Sequence, residues 1–149
     1  MQTSPQSRIR ALTEAGYWGD ETLHDILAAQ AARVPQRTAL IDQPNKAELT
    51  GLPARRLCFA ELEALSDQLA AQLLALGLRQ DDRILVQLPN IAELVITYYA
   101  ASKLGVVVSP LPIQYGGHEL TGFAHSLQPA AILTLGEFRD QDLAARARA

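Results

Sequence analysis

The sequence predicts an α/β protein: a mostly parallel sheet with helices on both faces, plus a peripheral N-terminal helix and hairpin. Three observations carry this. Arg83 to Ser109 reads as strand, turn, helix, strand. Ahead of it, Phe59 to Leu76 keeps a leucine stripe at helical spacing. Behind it, Ala130 to Leu135 is another short apolar run between helical segments. Helix and strand in alternation mean a parallel sheet whose crossover helices cover both faces.

In the central stretch, Ile84, Leu85, Val86 and Leu88 form a nearly continuous apolar run, as a strand buried on both faces requires. Pro89 stops it. Asn90 is placed to cap the next helix, with Glu93 reaching back to the cap's own amide. Ile91, Leu94, Val95, Tyr98 and Ser102 then share one face, and Gly105 sits where a left-handed terminus is favoured. Val106 to Val108 resume as a second buried strand. A unit of this length makes a right-handed crossover between parallel strands.

From the start of the chain, Met1 to Ser7 reads as loose and Arg8 to Ala15 as a short helix ending at Gly16. Residues 1–16 are therefore set apart as a loose N-terminal segment. Trp18, the single tryptophan, is expected to be a packing anchor. Thr22 to Val34 is an amphipathic helix with a Thr22–Asp25 capping box, its face carrying Leu23, Ile26, Leu27, Ala31 and Val34. Pro35 ends it. Thr38 to Asp42 and Arg56 to Phe59 form a hairpin across a polar loop, Gln43 to Arg55. Leu62, Leu65, Leu69, Leu73 and Leu76 line the helix that follows, and Gly77 stops it. Past Ser109, Pro110 and Pro112 hold the chain extended. His118 to Leu127 is a helix with Leu120, Phe123 and Leu127 inward, and Glu137 to Ala149 begins another.

The chain has 149 residues, 48% hydrophobic and 19% charged, so it has the material for one domain with a core and is not a disordered chain. The net charge is −3 with no basic block, which gives no argument for nucleic acid or an anionic membrane surface. Cys58 is the single cysteine, so no internal disulfide forms and a cytoplasmic location is expected. The first ten residues hold no apolar core of a secretory signal, and no apolar run approaches the ~20 residues of a membrane helix.

No catalytic constellation is complete. G-x-G-x-x-G, G-x-x-x-x-G-K-[ST] and G-x-S-x-G are all missing from the sequence. Ser109 lies at a strand end, where open α/β sheets bind ligands, but it precedes Pro110 and has no evident base; a structural role is expected. His24, His118 and His125 are the only histidines. His118 and His125 stand seven apart on one predicted helix, with no cysteine or carboxylate set to complete a metal site. Asp81 and Asp82 read as solvated turn carboxylates, Asp140 and Asp142 as members of an exposed helix. Cys58 reads as a small buried hydrophobe. Gly116-Gly117 signals a turn.

The ordered set TLHDILAAQAARVPQRTALID, LCFAELEALSDQLAAQLLALGL, DDRILVQLPNIAELVITYYAASKLGVVVSPL, HEL and PAAILT resembles the N-terminal part of the adenylate-forming enzymes. That superfamily includes acyl-CoA synthetases, peptide-synthetase adenylation domains and luciferases. The likeness runs from Tyr17 to Leu135, so residues 17–149 are read as an incomplete N-terminal α/β subdomain of such an enzyme. Gly-Tyr-Trp and Ser-Pro-Leu-Pro-Ile are similar to ligases that join coenzyme A to cyclic, aromatic or medium-chain acids. The resemblance implies a carboxylic acid substrate, ATP, magnesium and coenzyme A for the intact enzyme, none of them held tightly by this fragment. The family's phosphate loop, ribose-holding aspartate, hinge and lysine-bearing C-terminal domain come later in the family order, and their motifs are missing from this chain. No residue here is therefore assigned a catalytic, cofactor-binding or metal-binding role, and the fragment alone is expected to be inactive. Self-association is expected from a sheet that ends in an unpaired strand. The alternatives are an enzyme that loads a carrier-protein thiol and a free-standing α/β binding module. Two departures stand out: Asp81-Asp82 replaces the usual Gly-Asp, and the loop from Gln43 to Arg55 is longer than usual.

Overall fold

A computed structural model describes residues 4–148. Expectations for Met1 to Thr3 and for Ala149 lie outside the described residues. The elements, in order, are α1 (Gln6–Glu14), α2 (Leu23–Arg33), β1 (Thr38–Ile41), α3 (Lys46–Thr50), β2 (Arg56–Cys58), α4 (Phe59–Ala75), β3 (Arg83–Gln87), α5 (Ala92–Leu104), β4 (Val107–Pro110), α6 (Gly117–Leu127), β5 (Ala131–Thr134), β6 (Glu137–Phe138), β7 (Gln141–Asp142) and α7 (Leu143–Arg148).

The expected fold class is the one found. β4, β3 and β5 form a parallel sheet with β3 in the centre. α5 carries the chain from β3 to β4. α6 carries it back past β3 to β5 in the opposite direction. Both crossovers are right-handed by rule, so the two helices take opposite faces. The side chains of β3 divide accordingly. Ile84 and Val86 pack with Ala70 and Leu73 of α4, Ala100 and Ala101 of α5, and Val106. Leu85 packs on the other side with Leu111 and Leu120, backed by Leu127 and by Ala147 of α7. The predicted hairpin is present, with β1 antiparallel to β2. It joins Leu27 of α2, Leu62 of α4 and Ile96 of α5 in a second apolar cluster.

Several local expectations change. Trp18 is no anchor: it is 41% exposed and Tyr17 is 79% exposed, because both amides turn back onto Leu12 O at the end of α1. Leu23 and Ile26 are exposed, and of the α2 face Leu27 alone is fully buried. Val107 is exposed on β4, which has one neighbour in the sheet, so Val106 to Val108 is not buried throughout. Phe123 is exposed too, and stacks on Tyr115 with ring centroids 6.0 Å apart. The stretch after Leu135 begins with a hairpin, not a helix. Arg139 and Asp140 both take positive φ, 47° and 61°, the conformation of a two-residue turn with primed geometry. Asp142 then accepts from Ala145 N at 2.7 Å and starts α7.

Asp81 holds a backbone conformation that glycine adopts without side-chain strain. Its φ is +69°, and its amide bonds Gly105 O at 2.9 Å, tying the turn before β3 to the end of α5. A side chain in that conformation is strained, while glycine there loses more freedom on folding. Asp81→Gly is expected to raise stability by about 0.5 kcal/mol, seen as a higher urea midpoint with an unchanged slope.

Candidate functional site

The helices on opposite faces leave a crevice where the chain exits β3 and β4. In open α/β sheets ligands bind at that point. A cleft of about 610 Å³ lies there. Its floor comes from Leu88 and Pro89 after β3, Leu94 and Tyr98 of α5, and Leu111 to Ile113 after β4. Gln43, Asn90, Gln114 and Arg139 put amide and guanidinium groups around it. Leu49 of α3 and Phe138 of β6 supply the far wall.

Two polar groups, neither foreseen from the sequence, hold this geometry. The first is Gln87, the last residue of β3 and almost wholly buried. Its Nε2 donates to Pro112 O at 3.1 Å and to Tyr115 O at 2.9 Å. It thereby clamps the turn that lines the cleft on the β4 side. A glutamine at the end of an otherwise apolar run was the available signal.

The second is a buried charge network behind the β3 side. Lys46 is 0% exposed. Its Nζ donates to Asp42 Oδ2 at 2.8 Å and to the Glu93 carboxylate at 2.7 and 2.9 Å. Asp42 also accepts from Arg55 N at 2.9 Å and from Ala92 N at 2.7 Å. Ala92 N is one of the unpaired amides of the first turn of α5. The expected Asn90–Glu93 capping box is therefore replaced. Ile91 flanks the helix without a side-chain cap, Asp42 supplies the cap from fifty residues upstream, and Glu93 turns to Lys46. Burial pushes the Asp42 carboxyl up, but bonds from Lys46, Arg55 N and Ala92 N, with the Lys46 charge, hold it below the usual carboxylate range.

A further cluster sits on the helical face away from the cleft. Lys103 bonds Glu63 at 2.6 Å and Asp67 at 3.0 Å, joining α5 to α4. Burial lowers the lysine's pKa, and its bonds to these two carboxylates outweigh that and raise it.

The residues weighed in the sequence do not converge. Ser109 is half-buried within β4, opposite Leu85. His24 lies on α2, with Nδ1 3.0 Å from Ser102 Oγ. His118 and His125 are exposed on α6. Asp82 accepts from Arg79 N at 2.6 Å within its turn. Cys58 is half-buried, not buried; its amide donates to Glu61 Oε2 at 2.8 Å at the start of α4. Gly116 leads into α6, its amide bonded to Glu119 Oε2 at 2.9 Å. Among the described residues no group of three or more His, Cys, Asp or Glu is arranged to hold a metal, so no step through magnesium is assigned to them. No helix among them is long and apolar enough to cross a membrane.

The family model for AMP-binding enzymes matches residues 27–149. The chain belongs to the AMP-binding enzyme family. It is 36% identical over 91% of its length to pseudomonine synthase PmsE of Pseudomonas entomophila. It is 34% identical over 87% of its length to 2-hydroxy-7-methoxy-5-methyl-1-naphthoate–CoA ligase of Streptomyces carzinostaticus. It is 34% identical over 81% to a salicyl-AMP ligase / salicyl-S-ArCP synthetase of Mycobacterium tuberculosis. It covers 21%, 22% and 20% of these three proteins, about a fifth of their length. Among solved structures, apo MbtA of Mycobacterium smegmatis superposes with a TM-score of 0.73 at 34% identity, over 89% of this chain and 23% of that one. The superposition extends over the parallel sheet and its covering helices, the fold shared with that structure.

Proposed function

We propose that this chain is the N-terminal α/β part of an enzyme that activates a 2-hydroxyaryl carboxylic acid with ATP. In that reaction a carboxylate oxygen attacks the α-phosphorus and pyrophosphate leaves; a thiol then attacks the acyl carbon, the acyl–phosphate bond breaks, and AMP leaves with the thiol proton released. One observation carries the acid class. The salicyl and 2-hydroxynaphthoate relatives both name an aryl acid with a hydroxyl beside the carboxylate. The acceptor is the finer question. One of these relatives names coenzyme A and the other a carrier protein, at equal identity. The carrier-protein thiol is the reading we favour, on the salicyl-S-ArCP synthetase, which names both a 2-hydroxyaryl acid and that acceptor. Coenzyme A remains the second reading, on the naphthoate–CoA ligase.

In this reading residues 17–149 are scaffold. They build one side of the enzyme's core and the cleft, while residues 1–16 stand outside it. Self-association through β5, which among the described residues pairs with β3 alone, belongs to the same reading.

The test is thioester formation by the native polypeptide. It is supplied with ATP, magnesium and one acid at a time: 2-hydroxybenzoate, benzoate or hexadecanoate. Coenzyme A or an aryl carrier protein is the acceptor, and products are read by mass spectrometry. The expected result is a 2-hydroxybenzoyl thioester on the carrier protein. A thioester formed with hexadecanoate and not with 2-hydroxybenzoate overturns the acid assignment, and one formed on coenzyme A alone overturns the acceptor.

A further inference from the structure

We propose that Lys46 is the latch of a strap: by bridging Asp42 and Glu93 it holds α3 across the end of β3 and so fixes Leu49 as the far wall of the cleft. The inference concerns the wall alone and stands whichever acid the enzyme activates.

The strap is the connection between β1 and β2. Its base is closed by Asp42 and Arg55, which bond each other twice: Asp42 N to Arg55 O, and Arg55 N to Asp42 Oδ2, both at 2.9 Å. Between them α3 has five residues, far too few to be a stable helix on its own. Two contacts hold it to the rest of the fold. On one side Lys46 enters the protein and meets the two carboxylates. On the other Leu49 packs beside Ile91 and Phe138, and Leu49 O accepts from Arg139 N at 3.0 Å. α3 thus spans from the start of α5 to the β6–β7 hairpin, with Leu49 on the cleft.

The network is built to open without stranding a charge. If Lys46 swings out to water, Asp42 keeps its bonds from two backbone amides. Glu93, partly exposed, keeps Arg55, whose Nε lies 3.8 Å away. The released ammonium regains its hydration. A buried pair in which both partners depend on each other lacks this property, because removing one leaves the other uncompensated. Leu49 lines the cleft, while Arg55 and Glu93 line a second groove of about 500 Å³ along β5.

The experiment is amide hydrogen exchange by mass spectrometry on the native polypeptide, comparing wild type with Lys46→Met. Methionine fills most of the lysine's volume without the charge. Exchange at Leu49, Gly51 and Arg139 is expected to quicken about tenfold or more, while Ile84, Leu85 and Val86 keep their rates. Ala92 is expected to stay protected, since Asp42 still caps it. Unchanged rates at Leu49 and Arg139 overturn the latch. So does an equal acceleration in β3, which makes Lys46 a general stabiliser. If Lys46→Met fails to fold, Glu93→Gln is read the same way. It removes one charge and leaves Lys46 with Asp42, and a smaller rise confined to α3 and Arg139 is expected; no rise there, or one that reaches β3, again overturns the proposal.

Discussion

Asp42→Ala is expected to lower stability by about 3–5 kcal/mol in urea unfolding, the cost of taking the acceptor away from three donors at a buried site. The Asp42 side chain is 1% exposed and serves three donors. Its removal uncaps Ala92, frees Arg55 N and leaves Lys46 with Glu93 alone. Lys46→Met is expected to cost less, because each carboxylate then keeps another partner. The pH dependence has a definite sign. The folded carboxyl sits below its ordinary value of 3.8, so the native state binds the proton less readily than the unfolded chain. The stabilisation is complete above that ordinary value and is lost as pH falls through the lower, folded-state value. Wild type should therefore lose stability more steeply below about pH 4 than Asp42→Ala does. Parallel acid-unfolding curves for the two proteins would remove Asp42 from the account.

Leu85→Ala is expected to cost about 3–4 kcal/mol, the usual range for deleting a fully buried leucine from a packed core. Leu85 is 0% exposed at the centre of β3. It is the side chain of β3 that packs against the α6 face, with Leu111 and Leu120. Ile84 and Val86 face a cluster on α4 and α5 that is better stocked with apolar groups. The cavity left by Leu85 also borders Leu111, on the cleft floor, so the damage reaches the site. A loss below about 1 kcal/mol would mean that α6 collapses into the gap and is less firmly placed than its contacts indicate.

The parallel sheet was legible because its strands are short apolar runs separated by turn residues and helical stripes, and those signals are local. The right-handed crossover rule then set the helices on opposite faces and put the crevice at the ends of β3 and β4. The buried charge network was not legible. Lys46 stands in a polar loop with Pro44, Asn45, Gly51 and Pro53, where a lysine is ordinarily solvated. Its partner Glu93 is forty-seven residues away, and Glu93's spacing from Asn90 imitates a capping box. The tertiary cap from Asp42 won because it satisfies Ala92 N, Arg55 N and Lys46 together. The β6–β7 hairpin was missed for another reason. Its turn is Arg139-Asp140, without the asparagine or glycine that ordinarily marks such a turn, and Leu143 to Arg148 beyond it is helix-forming. Trp18 was misplaced because area alone does not say what a side chain packs against.

The central claim is that this chain scaffolds an adenylating enzyme whose chemistry is carried by other residues of the polypeptide. ATP–pyrophosphate exchange tests it most directly, run with 2-hydroxybenzoate on the 149-residue chain and on the native polypeptide side by side. Acid-dependent exchange is expected from the native polypeptide and none from the 149-residue chain. Exchange by the 149-residue chain, or none by the native polypeptide with any carboxylic acid, would contradict it.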